Sequence, residues 1–317
     1  MNQGVTVLDC DSCSPDNPTA GAAAAHPDSG LDVRLAIVHS RYLYHDYDAG
    51  VVDQEATDAL ARYMAATIQG MLRRMGLQTP VFIGEPFRSV MGPKQHVDET
   101  DYDLHGDGGR EQPAGNFADA LAYQRELALQ HRINIINAGP AHGVAKTMQM
   151  LGDAGLFGQL GRLVTQGGVL DLPKLPELHL VGGPGMTYNW ACDNQAASRM
   201  LRGHPDVSVI TPNHTKDPRL GVWPDQLEAM GVHPVLAAPY REHFEAANER
   251  TPSRRGKPLA VHDLHLVFML RQLLLGEAGP YTWAPLEMKP PVPWMRQLVK
   301  DVDADMYFEL MRRFTCN

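Results

Sequence analysis

The sequence predicts an α/β fold, a mostly parallel central sheet flanked by helices. Three observations predict it. Short apolar runs of strand length recur along the chain. Helix-patterned segments alternate with them. Several runs end directly on polar or glycine-bearing turns. Strands that alternate with helices argue for parallel neighbours, which need a crossover connection between them.

In chain order, residues 5–8 form the first apolar run and 33–38 the second (Val-Arg-Leu-Ala-Ile-Val), with an Ala-rich short helix over 19–25 between them. Residues 54–76 have helical periodicity and end on Gly76, a common stop. Residues 81–83 read as a strand that gives way to a loop at Glu85-Pro86. Residues 88–110 are polar and read as a long loop, a length that usually carries function or mobility. A helix over 117–131, a strand over 133–136, the turn 137–143 and another helix come next. A strand over 161–165 runs into Gly167-Gly168, a helix begins near Asp193, and a strand over 207–211 leads into Pro212-Asn213-His214-Thr215. Residues 264–275 form a strongly apolar helix, and the proline-rich 285–293 reads as a wrapping connection. There is no internal repeat and no composition break, so a single domain over 1–317 is expected.

The chain is 44% hydrophobic and carries a formal net charge of -9. That balance lacks the basic footprint of a nucleic-acid binder. No stretch is apolar for long enough to span a membrane, and no basic region with an apolar core opens the chain. With only 4 cysteines, a reduced, cytoplasmic setting is expected. Cys10 and Cys13 form a Cys-x-x-Cys without the second pair that a zinc site wants, so ordinary packing is the reading preferred for them.

The most informative segment is Leu8-Asp9-Cys10-Asp11-Ser12-Cys13-Ser14-Pro15-Asp16, an acidic turn at the carboxyl end of the first strand. In open α/β sheets ligands collect outside the strand ends. Clustered carboxylates there suit a hard cation. His262-Asp263, at the head of the late apolar helix, adds an imidazole and another carboxylate; the plain alternative is that Asp263 caps that helix.

Together these segments resemble the nucleoside hydrolases of the inosine–uridine-preferring type. The family opens with a strand and Asp-x-Asp-Pro-Gly-x-Asp-Asp. Asp9, Asp11 and Asp16 match its first, second and last aspartates at the same spacing. His105-Gly106, the 137–143 turn, Gln166-Gly167-Gly168, Thr187-Tyr188-Asn189, Asn213-His214-Thr215-Lys216 and Val261-His262-Asp263 resemble later family motifs in the same order. The resemblance implies a nucleoside-hydrolase-like open α/β fold and a Ca²⁺ held by Asp11, Asp16, Asp263 and the backbone carbonyl near His142. It implies hydrolysis of an N-glycosidic bond, with Asp11 as general base and His262 near the leaving base. His105, Thr187 and Asn189 are the implied substrate-binding residues. Tyr240 and His243, on a helix ahead of His262, are candidates to contact the base. A homodimer or homotetramer acting on a small nucleoside-like molecule is implied as well, without nucleic acid or membrane.

The departures are specific. Pro15 stands where the family has a hydroxyl-binding aspartate, and Thr187 where it has a glutamate. The asparagine expected after the second strand is absent; His39, Ser40, Arg41 and Tyr42 occupy that region. Sites built around hydrogen bonds to a substrate hydroxyl discriminate strongly. A modified nucleoside or related glycoside is therefore expected over inosine or uridine. Two alternatives stand beside this reading: a degenerate member that binds such a ligand without turnover, and a different hydrolase placing His105, His142 or His262 on a transition metal.

Overall fold

In the computed structural model the first apolar run extends beyond its hydrophobic residues. β1 (Val5–Asp11) continues through Asp9, Cys10 and Asp11, and all seven of its residues are buried. The structure describes residues 4–11, 16–90, 111–170, 178–179, 187–250, 256–286 and 291–316. The expected long loop falls largely outside them, and His105 with it.

The later strands are β2 (Val33–His39), β3 (Tyr44–Asp46), β4 (Val51–Val52), β5 (Val81–Ile83), β6 (Ile133–Asn137), β7 (Leu160–Gln166), β8 (Val169–Leu170), β9 (Leu178–His179), β10 (Asp206–Ile210), β11 (Tyr281–Pro285) and β12 (Met295–Val302). Eight of the strands make one sheet in the order β11-β12-β10-β7-β6-β1-β2-β5. Within it only the β11–β12 pairing is antiparallel. The chain builds from β1 outward to β5, then returns to β6 on the other side of β1 and builds the opposite way. The topological switch point thus lies between β1 and β6, where the crevice of an open α/β sheet forms.

Helices α1 (Asp16–Ala25), α2 (Gln54–Arg74), α3 (Phe117–Ala128), α4 (His142–Asp153), α5 (Tyr188–Cys192), α6 (Asn194–Gly203), α7 (Pro212–Thr215), α8 (Pro224–Ala229), α9 (Pro234–Arg250), α10 (His262–Leu275) and α11 (Ala304–Thr315) complete the described elements. Two apolar clusters show which face each helix covers. Leu8 and Cys10 of β1 pack with residues of α1, α2, α10 and α11, among them Leu72, Phe268 and Tyr307. Val5 and Val7 pack with α3, α4 and α6 through Phe117, Val144 and Met200. The period-two alternation of a strand makes this division. Covered on both faces, such strands read as continuous apolar runs. Leu264 through Leu270 of α10 are all 1% exposed or less, which is why that helix shows no amphipathic stripe.

Sequence boundaries and structure differ modestly. Residues 188–203 are two helices broken at Asp193, whose carboxylate caps the second through Ala196 N–H at 2.8 Å. The 281–302 hairpin and the final helix α11 carry no strong sequence signature. Among the described residues no helix is long and apolar enough to cross a membrane.

Candidate active site

β1 brings its carboxylates to the switch point by period-two geometry. Asp9 and Asp11 point alternately to Cys10, and the register sets Asp9 opposite Asn137 of β6 and Asp11 opposite His39 of β2. Asp9 is 1% exposed and Asp11 7%. The turn after β6 closes directly over them. A Cβ on Gly139 would stand 2.7 Å from the Asp11 backbone nitrogen. A Cβ on Gly143 would stand 2.2 Å from Asp9 Oδ2 and 2.5 Å from His39 Nε2. Both positions need glycine for close approach.

Asp263 arrives from α10. Val261, not Asp263, holds the N-cap position, so Asp263 lies inside the first turn and is 5% exposed. Its role is therefore not that of the helix cap. Cys10, between Asp9 and Asp11 on β1, is fully buried. Burial pushes its thiol pKa well up, and the charges of Asp9, Asp11 and Asp263 push it further. Cys10 Sγ reaches Ile37 O at 3.4 Å. This thiol is a packed, protonated group, in line with the ordinary packing expected for it.

Asn17, fully buried in the first turn of α1, donates from Nδ2 to Asp11 Oδ1 at 3.3 Å. Its own Oδ1 is buried without a hydrogen-bond partner, as is Asp9 Oδ1. Sequence reasoning missed Asn17; its position directly after Asp16 was the available signal. Asp16 opens α1, and its side chain lies outside the described residues. Among the described residues no group of three His, Cys, Asp or Glu side chains forms a metal cluster, histidine clusters included.

His39 occupies the end of β2, where the family asparagine was expected. It is fully buried, with Nε2 3.3 Å from Asp9 Oδ2 and Nδ1 3.0 Å from Glu85 O. Burial lowers its pKa, but the Asp9 charge, the Asp9 hydrogen bond and the Glu85 carbonyl outweigh it and leave the pKa raised. The contact with Asp9 thus favours the charged form of the ring. His142, at the head of α4, packs against it edge-on at 4.3 Å and donates from Nε2 to Glu85 O at 3.2 Å. Burial foremost, then the neighbouring His39, lowers the His142 pKa to about 2, so its ring is neutral.

The remaining expected residues divide between the site and the core. Asn189 Nδ2 donates to Ala138 O at 3.1 Å, tying α5 to the turn over β1. Thr187 precedes α5, and its Oγ1 is buried without a hydrogen-bond partner. His262 is half-buried, and its Nδ1 stands 2.7 Å from Thr215 Oγ1 and 3.3 Å from Gln166 Nε2. Tyr240 is 1% exposed and belongs to the apolar core with α10. The structure therefore gathers Asp9, Asp11, Asn189 and the 137–143 turn, buries Asp263 at the head of α10, and packs Tyr240 in the core.

No protein-family model matches the chain, and no curated protein sequence does. Solved structures match over nearly its whole length. A purine-preferring ribonucleoside hydrolase from Gardnerella vaginalis aligns with a TM-score of 0.68 and 15% identity, covering 98% of each chain. An inosine–uridine preferring nucleoside hydrolase from Bacillus anthracis aligns at 0.55 and 14%, covering 98% of this chain and 99% of the other. The type III effector XopQ, solved with adenosine diphosphate ribose, aligns at 0.69 and 15%, covering 98% and 93%. The strand order, the switch point and these alignments agree: the chain is built on the nucleoside hydrolase fold.

Proposed function

We propose that the protein hydrolyses the N-glycosidic bond of a nucleoside or modified nucleoside. One observation carries this reading: Asp9 and Asp11 are both buried under the 137–143 turn at the carboxyl end of the central strand. Buried carboxylates that share a site need a compensating cation. Asp11, Asp16, Asp263 and the carbonyl of residue 142 are the oxygen donors that would hold a Ca²⁺. The buried, unpartnered Asn17 Oδ1 fits such a hard-cation donor set. When bound, the cation supplies positive charge that orients and acidifies a water.

The chain's own residues do the rest. Asp11, its Oδ1 held by the Asn17 amide, takes the proton from water. The carboxylates face the positive charge that develops on the sugar in an oxocarbenium-like transition state. Asn189 and Thr187 stand at the sugar side, and His262 presents an imidazole N–H to the leaving base. Asp11→Asn should preserve the fold by circular dichroism and lower turnover at least about 100-fold, the usual scale for a general base.

A second reading is favoured by Pro15 and Thr187, which replace the hydroxyl-reading carboxylates: a protein that binds a nucleoside- or sugar-like ligand without cleaving it. The effector solved with adenosine diphosphate ribose shows that this fold accommodates such a ligand. Calorimetric binding of nucleosides and adenosine diphosphate ribose, alongside product analysis, separates the two.

A further inference from the structure

We infer that Thr215 and Gln166 are positioning residues that hold the neutral His262 ring as the tautomer with its proton on Nε2. The inference deepens the hydrolase reading and rests on it for its catalytic consequence, though not for the tautomer itself.

Two adjacent strand ends build the arrangement. Gln166 ends β7, and its register partner Ile210 ends β10; Thr215 closes α7, the single helical turn that comes after β10. The fully buried Thr215 hydroxyl and the Gln166 amide are thereby set against the first residue of α10. Gln166 Nε2 lies 3.2 Å from Thr215 Oγ1 and 3.3 Å from His262 Nδ1, and Thr215 Oγ1 lies 2.7 Å from Nδ1.

The donor inventory gives this triangle one consistent direction. An amide nitrogen can only donate, so Gln166 gives a proton to the Thr215 oxygen. The hydroxyl keeps its own proton to give, and in the arrangement we infer it goes to Nδ1, the partner at 2.7 Å. A nitrogen that accepts carries no proton in a neutral imidazole, so the ring proton sits on Nε2, at the opposite edge. In the hydrolase reading that N–H is the donor offered to the leaving base, and no proton need be gathered from solvent first. The reverse arrangement, with the Gln166 oxygen facing Thr215, would turn every donor round and place the proton on Nδ1.

The test is long-range proton–nitrogen correlation on the full-length protein labelled with ¹⁵N-histidine. The His262 signals are assigned by their loss in His262→Gln. The expected pattern is protonated Nε2 and bare Nδ1 in the neutral ring. Thr215→Ser should keep it, while Thr215→Val and Gln166→Met should each give a tautomer mixture. A wild-type ring protonated on Nδ1, or an unchanged pattern in both Thr215→Val and Gln166→Met, overturns the inference. Where a nucleoside is cleaved, Thr215→Val should lower kcat about tenfold, the loss of roughly one hydrogen bond, and Thr215→Ser should restore it. Full kcat in Thr215→Val overturns the catalytic half. If no nucleoside is cleaved while the Nε2 pattern holds, the hydrolase reading fails and the tautomer assignment stands.

Discussion

At the scale of single residues, the Asp9–His39 pair is the most consequential departure from the expected pattern. Neither group touches water, so each depends on the other. Removing one partner of a buried pair leaves an uncompensated charge, a loss of about 3–5 kcal/mol. His39→Leu should cost on that order in urea unfolding. Gly143→Ala should cost less, about 1–3 kcal/mol, because an added Cβ must displace Asp9, His39 or the head of α4. Unfolding midpoints equal to wild type in both variants would contradict the pairing. The aspartates of β1 and His262-Asp263 were legible because carboxylates are conspicuous at the end of an apolar run. His39 was visible only as one of several residues after the second strand. Its pairing with Asp9 depends on the parallel register of β1 and β2, which no local pattern encodes.

At the scale of elements, the glycines at strand ends report what lies against them. Gly167 comes directly after β7, and a Cβ there would stand 1.9 Å from the Trp190 ring. Trp190, fully buried, fixes α5, and α5 carries Asn189 into the site. Gly167→Ala should therefore shift α5, seen as a changed near-ultraviolet aromatic signal, and should raise KM more than it lowers kcat. An unaltered aromatic signal would show that Trp190 does not set α5. The sequence displayed Gly167-Gly168 as a strand end but not the indole it makes room for, because that contact joins residues 23 positions apart. The β11–β12 hairpin was missed for a related reason. β11 is the edge strand and β12 its neighbour, and both mix exposed with buried residues, so no run stands out. The central parallel strands, covered on both faces, announced themselves.

At the scale of the whole molecule, the buried histidines give stability a pH dependence. Burial lowers the pKa of His204 and of His265 to about 3, and that of His142 to about 2. In the unfolded chain these rings titrate near about 6.5. Below that value the unfolded chain takes up protons that the folded protein refuses. Their contribution is thus fully present above about pH 6.5 and declines as pH falls toward about 3, by up to about 1.4 kcal/mol per unit for each ring. His39 works in the opposite sense, since its raised pKa gives stability at low pH that is lost as pH climbs through its folded value. His39 acts above about pH 6.5, so the three lowered rings set a falling urea midpoint from about pH 6.5 to about pH 4. His204→Asn, which keeps an acceptor for the Asp206 N–H, should make that fall shallower. A flat profile would contradict the burial of these rings.

The central claim joins all three scales: the switch point between β1 and β6 is a hydrolytic site worked by Asp11. The most direct measurement is the release of free base and reducing sugar from a panel of ribonucleosides and modified nucleosides. It compares wild type with Asp11→Asn, each with Ca²⁺ and after chelation. The account predicts equal moles of base and sugar from at least one substrate, lost on chelation and lowered at least about 100-fold in Asp11→Asn. Release that is undiminished in Asp11→Asn, or no release from any substrate that wild type binds, would contradict it.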